Sequence, residues 1–244
     1  MNSTIELLKN HTSIRKFNEV PITQEEEELI LSCAMQGATA GNMMLYHIIV
    51  VRDKKILETL GESCDHQSFI GQAQMGFLFV VDNHKWAKFF ETRGVTDHGQ
   101  PYTGPELPDL ILGMQDAMIA AQNAVVAAES MAIGTCYIGD ILENAEQHND
   151  LFELPEGTMP ATLVVMGRYD VKPKVRSRFG KEYIVTENKY PVVDAGFIDG
   201  MFGETEGLRE GFAQKFYSRK VEADFYKEMI RSIKVHIGQW LGNN

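Results

Sequence analysis

His11, Ser13 and Arg15 alternate along the segment HTSIRKF. In an extended backbone a period of two puts all three on one side. An imidazole, a hydroxyl and a guanidinium on one side make a clamp for a phosphate monoester, because charge-assisted bonds to an anion are short and strong. Far along the chain, Lys172 and Lys174 repeat the spacing around Pro173, which stiffens the segment and has no N–H to donate. The two basic segments together suit one phosphate group. Two solvated surface loops would carry the same residues, so spacing alone leaves both readings standing.

Three further features suit a flat ligand, each with a plainer alternative. The small residues of GATAGN, 37–42, let a planar group approach the backbone closely, or simply connect a helix to a strand. Gln67 precedes a strand, and its amide both donates and accepts, as reading a heterocycle edge requires; a surface glutamine looks the same. Trp86, Phe89, Phe90 and Tyr102 suit stacking on a flat ligand, or equally the core.

Other chemistries lack their signatures. There is no GxGxxG after a strand, no GxxxxGK[ST], no HExxH, no GxSxG and no clustered Cys/His spacing. Cys33, Cys64 and Cys136 lie far apart without a CxxC pair, which points to reduced thiols and a cytoplasmic protein. The opening MNSTIELLKN lacks the basic and continuous apolar regions of a signal peptide. Across 244 residues, 23 Lys and Arg against 34 Asp and Glu leave a formal charge of −11, which argues against nucleic acid or an anionic membrane as partner. With 44% hydrophobic and 23% charged residues, the composition is that of a soluble domain able to bury a core.

The elements that must position these residues follow from capping and periodicity. A short helix is expected over 4–9, with Thr4 as its cap. Thr23 followed by acids predicts a helix to about Met35, with Leu29, Ile30, Cys33 and Ala34 inward. Buried strands are expected at Tyr46–Arg52, Met75–Val81 and Ala161–Gly167, and a short one at Thr135–Gly139. Helices are expected at Lys54–Gly61, Ile141–Asn149 and Asp224–Leu241. Gly94–Pro105 reads as a loop. A long alanine-rich helix over about Glu106–Ala132 carries an apolar stripe and reads as a soluble helix, not a membrane span. Its further apolar residues suit a subunit interface. Gly196–Gly211, with five glycines, reads as an extended connector. Helices alternating irregularly with short strands imply an α+β fold.

In order along the chain, His11–Phe17 with Val20-Pro-Ile22, Ala38–Asn42 with Met44, Cys136-Tyr-Ile-Gly139 and Lys172-Pro-Lys174 resemble the FMN-dependent nitroreductase family, in its larger NADPH-preferring flavin oxidoreductase branch. The resemblance covers about Thr4–Tyr190. It implies a central mixed or antiparallel sheet flanked by helices in an intertwined homodimer. It divides the chain into a flavin domain, 1–195, and a C-terminal extension, 196–244. FMN is the implied cofactor. His11, Thr12, Ser13, Arg15, Lys172 and Lys174 would hold its phosphate. Thr39, Asn42 and Gln67 would line the isoalloxazine edge, and Tyr137, Ile138 and Gly139 would lie along the ring, offering backbone N–H groups. No side chain is required as a catalytic acid, because the flavin carries the chemistry.

The implied activity passes electrons from NADPH or NADH to nitroaromatics, quinones or flavins by ping-pong kinetics. A flavin reductase releasing reduced FMN and a non-catalytic flavin-binding module are the alternatives. Three departures stand out. Lys174 replaces the usual Arg, Asp140 follows Gly139 where a second glycine is common, and Arg219-Lys220 is diluted by Glu222 and Asp224, which puts the choice between NADPH and NADH in doubt.

Overall fold

The computed structural model describes residues 2–97, 99–203 and 210–242. Its contacts divide the chain into two compact units, 1–173 with 228–244, and 174–227. The boundary expected at residue 195 falls inside the smaller unit.

In the larger unit, helix α1 (Ser3–Lys9) is capped by Asn2, whose side chain accepts from the Ile5 N–H, so the cap sits two residues before the expected Thr4. Helix α2 (Gln24–Met35) opens on a full capping box between Thr23 and Glu26, a device that stabilises a helix start by about 1 kcal/mol. Its buried face is Glu27, Ile30 and Ala34. Leu29 and Cys33, expected inward, are exposed instead. Glu27 takes that place because Arg52 pairs with its carboxylate.

After the small-residue loop come strand β1 (Tyr46–Val51), helix α3 (Lys54–Ser63), the short helix α4 (Phe69–Gln72) and strand β2 (Met75–Asp82). Helix α5 (His84–Thr92) follows, then β3 (Thr96–Asp97) paired with β4 (Gln100–Pro101). The stretch expected as plain loop is therefore partly a hairpin; its His98 lies outside the described residues. Helix α6 (Leu107–Ser130), strand β5 (Gly134–Ile138), helix α7 (Ala145–Phe152) and strand β6 (Thr158–Gly167) complete the run. Where one helix was expected from Ile141, a 310 turn (Gly139–Leu142) precedes α7.

The sheet is antiparallel throughout, in the order β1-β2-β6-β5. Alternation assigns its two faces. Phe77, Phe79 and Val81 of β2 pack with α2 and α6, whereas Leu78 and Val80 pack with Leu60 of α3 and Ile70 of α4. On β6 the parity switches: Met159 and Ala161 share the α6 side with Val164 and Met166, while Leu163 and Val165 face the other way. The register explains this, because Phe79 pairs with Thr162 and Val80 with Pro160, leaving Ala161 as a bulge.

Helix α6 is long and apolar enough to cross a bilayer by length and composition. It instead lies between α2 and the sheet, with Ala117, Ala121, Ala124 and Ala128 fully buried and the buried Asp116 serving a loop. Gly113 permits this close approach: a Cβ there would meet Val81 Cγ1 at 2.4 Å.

The smaller unit holds the short α8 (Lys181–Ile184), α9 (Ala195–Phe202) and α10 (Phe212–Lys220). Helix α9 overturns the expected extended connector. Asp194 caps it by accepting from the Phe197 N–H, and Gly200 gives room to the Tyr183 ring, which meets Phe197 edge-on. Gly207 lies outside the described residues. Helix α11 (Asp224–Trp240) begins in this unit and ends in the larger one, where Ser232, His236 and Trp240 are buried.

Candidate active site

The segment 11–17 runs beside β5. Ile14 is buried, and its N–H donates to the Thr135 carbonyl at 2.8 Å. With Ile14 turned inward, Ser13 and Arg15 fall on the opposite side, as a period of two requires. Arg15 is exposed, with its guanidinium 5.8 Å from the Phe69 ring centre. Ser13 and Arg15 both act on the buried Cys136 thiol of β5: burial pushes its pKa up, while the Arg15 charge and the Ser13 hydroxyl pull it down. His11 Nδ1 meets Glu129 Oε1 at 2.7 Å, and Thr135 Oγ1 donates to the same oxygen. Thr12 is half-buried.

Two glycines make room for the segment. A Cβ on Gly134 would lie 2.6 Å from Ile14 Cγ1, and one on Gly167 would lie 2.7 Å from the Phe17 ring.

Strand β5 is a sheet edge, so half of its backbone groups lack a strand partner. Thr135 turns its carbonyl outward to Ile14. By the same period Tyr137 turns its backbone groups to the open edge, and Gly139 follows as the first residue of the 310 turn. Gly139 is exposed, and nothing lies within 4 Å of where its Cβ would be. The Ile138 side chain is buried in the core. The Tyr137 hydroxyl donates to Gln122 at 3.2 Å, and burial drives its pKa above the usual tyrosine range.

Gln67 joins this group. Its Nε2 donates to Asp140 Oδ2 at 2.6 Å and to the Cys64 carbonyl at 3.0 Å. The turn that presents it places Asp65 and His66 at positive φ, an uncommon conformation for residues other than glycine. Beneath Asp140 lies the buried Glu143, whose carboxyl is pushed up to about 8 by burial, then by Asp140, Asp65 and Glu228.

Thr39 and Asn42 are placed elsewhere. The Thr39 hydroxyl accepts from the Met44 N–H, and Asn42 has φ 58°. Both Asp116 oxygens pin the loop, one accepting from Ala40 N–H at 2.9 Å and the other from Leu45 N–H at 3.2 Å. Asp116 carried no sequence signal, because a loop-pinning carboxylate on a helix has no fixed spacing from its loop. The loop precedes β1, whereas Gly139 follows β5 on the opposite sheet edge. Three inter-strand steps separate those edges, about 14 Å. Within one chain, then, Thr39 and Asn42 do not join Gln67 and Gly139.

The aromatic residues Trp86, Phe89, Phe90 and Tyr102 pack edge-on or tilted against one another with ring centres 5.3–5.8 Å apart. Trp86 Nε1 donates to the Met43 carbonyl, which joins this cluster to the Thr39–Asn42 loop. Lys172 is exposed in the larger unit, and Lys174 is exposed in the smaller one. A groove of about 770 Å³ that includes Ile22, Glu27, Arg52 and Gln74 holds none of the expected flavin residues.

Residues 8–168 match the profile of the Nitroreductase family. The chain belongs to the nitroreductase family. It is an oxidoreductase of that type. It is 30% identical over 222 residues to an NADPH-flavin oxidoreductase of Vibrio harveyi, covering 91% of this chain and 87% of that one. It is also 30% identical over 197 residues to an oxygen-insensitive NADPH nitroreductase of Salmonella typhimurium, covering 80% and 77%. Among solved structures, nitroreductase A of Vibrio parahaemolyticus superposes with a TM-score of 0.82 at 25% identity, covering 97% of this chain and 98% of that one. The α+β nitroreductase-like fold, with its central antiparallel sheet between helices, is thus shared across nearly the whole length.

Proposed function

We propose that the chain binds FMN and uses it to pass electrons from NADPH or NADH to small flat acceptors, as a homodimer. The observation that carries this reading is the Arg15–Ser13 face beside the open end of β5. Arg15 is exposed, and among the described residues no carboxylate pairs with it. That donor set fits a phosphate, and the space at Gly139 fits a ring lying against backbone.

His11, Thr12, Ser13 and Arg15, with Lys172 and Lys174, would hold the FMN phosphate. Glu129 fixes His11 through Nδ1, which leaves Nε2 for the ligand. Gln67, Tyr137, Ile138 and Gly139 would flank the ring, with backbone donors from the β5 edge. Bound FMN would supply the two-electron exchange, taken from a reduced nicotinamide and given to the acceptor in separate visits, which is ping-pong kinetics. NADPH is favoured as donor by the names of the Vibrio harveyi and Salmonella typhimurium relatives.

The separation of Thr39 and Asn42 from Gln67 supports the homodimer: residues of a second copy would complete the ring edge. Ile111, Leu112, Met118 and Ile119 on α6, with Leu29 and Met35 on α2, are exposed and apolar, as an interface between copies requires. The aromatic cluster beside the loop suits a flat acceptor. Free Cys33, Cys64 and Cys136 suit the cytoplasm.

A flavin reductase supplying reduced FMN is the second reading, favoured by the Vibrio harveyi relative's name. The test is the absorbance spectrum of the purified protein, before and after anaerobic NADPH and then NADH. A flavin band that bleaches supports the reading, and saturable turnover of added FMN selects the reductase. A band that neither donor bleaches leaves a binding module. No band after adding FMN overturns the proposal.

A further inference from the structure

Asp140 stands where the family resemblance leads one to expect a second glycine, and the structure gives it a partner. The two N–H groups of the Gln67 amide are both consumed, one by the Cys64 carbonyl and one by Asp140 Oδ2. Both partners are pure acceptors, so the amide nitrogen must face them and the oxygen must face away. Gln67 therefore offers an acceptor, and only an acceptor, to whatever lies beyond it. Asp140 is held in turn: the Glu143 N–H donates to its carbonyl at 3.0 Å, one turn of 310 helix on.

Glu143 is the second member of the pair. It is 4% exposed, and its Oε1 has no partner. A buried carboxylate without a partner is costly, so burial first, and then the Asp140 charge, push the Glu143 carboxyl up to about 8. The Gln67 amide and the Glu143 N–H together hold Asp140, one through its carboxylate and the other through its backbone carbonyl.

We propose that Asp140 is a positioning residue that locks the Gln67 amide with its oxygen free and sets a fixed negative charge beside the flavin, lowering its reduction potential. This rests on the FMN reading. Nearby negative charge disfavours the reduced, electron-rich cofactor. A low potential suits passage of electrons onward to acceptors rather than their retention.

Full-length wild type, Asp140→Asn and Asp140→Ala would be titrated with FMN by fluorescence quenching. The potential of bound FMN would be read against a reference dye. Asparagine keeps an acceptor for Gln67 and removes the charge. It is expected to raise the potential by about 30 mV, the two-electron equivalent of a tenfold shift towards reduced flavin, with oxidised FMN bound as in wild type. Alanine also frees the Gln67 amide, and is expected to weaken oxidised FMN binding by about tenfold in addition. A potential unmoved in Asp140→Asn overturns the charge role, and unchanged FMN affinity in Asp140→Ala overturns the locking role. Wild type that binds no FMN overturns the parent reading itself, which the first titration reveals before any variant is compared.

Discussion

Gly134 of β5 and Gly167 of β6 lie opposite each other in the sheet register, and the segment 11–17 lies across both. Directly opposed residues point to the same face. Their missing Cβ atoms make one shallow trough, with Ile14 over Gly134 and Phe17 over Gly167. Two glycines in the sheet thus aim a guanidinium that neither touches.

Gly134→Ala should therefore act at a distance. Its methyl would overlap Ile14 and Tyr169, and overpacking of this kind costs about 1–3 kcal/mol. FMN affinity should fall together with the melting temperature, although residue 134 faces the core. Calorimetry and FMN titration on the same preparation check this, and an unshifted pair of values would show that the trough does not position the segment.

Arg15→Ala should separate binding from stability. The side chain is exposed, so stability should change by no more than about 0.5 kcal/mol. Loss of a charge-assisted bond to phosphate, about 1.5–3 kcal/mol, should weaken FMN retention roughly 10- to 100-fold. Equal FMN affinity in both proteins would remove Arg15 from the phosphate site.

Asp116→Ala strands the half-buried Ala40 N–H and the buried Leu45 N–H. Two unsatisfied donors cost about 2–4 kcal/mol, or roughly 5–15 °C in a chain of this size. Asp116→Asn, which keeps one acceptor, should lose about half as much. Equal melting temperatures for wild type and Asp116→Ala would mean that the loop is held by other means.

Met118→Glu puts a charge on the exposed apolar face of α6. In sedimentation velocity the wild type should run as a dimer and the variant as a folded monomer that loses FMN. A monomeric wild type that retains FMN would refute the shared site.

Glu143 predicts a pH dependence of stability. Its folded pKa, about 8, is raised above the ordinary 4.5, first by burial and then by Asp140, Asp65 and Glu228. The folded state thus favours the proton, so the stability it contributes is complete below pH 4.5 and is lost as pH rises through 8. Glu143→Gln should flatten the fall in melting temperature across that window. A wild-type profile no steeper than the variant's would count against the buried proton.

Much of this was legible in the chain. The Thr23 capping box, the runs of β1, β2 and β6 and the period of two at 11–15 are local patterns, and local patterns survive folding. Leu29 and Cys33 misled, because helical spacing finds an apolar stripe without saying what covers it. Helix α9 was hidden by glycines that make room for Tyr183, a contact between residues 17 apart in sequence. Asp116 and the Asp140–Gln67 bond act over 71 to 76 residues, and no window on the sequence contains both ends.

Helix α11 finishes inside the larger unit, where Trp240 Nε1 donates to the Glu106 carbonyl across 134 positions. Ser232 and Glu228 cap the start of α7 by accepting from the Ala145 and Asn144 N–H groups. During synthesis, α7 and the Trp240 pocket thus stay unfinished until residues 228–240 have emerged and folded back. Non-local closure of this kind is slow and leaves apolar surface bare in the interval. Chaperone demand and the yield of folded protein should therefore respond to changes in residues 228–240 more strongly than their distance in sequence from α7 would suggest.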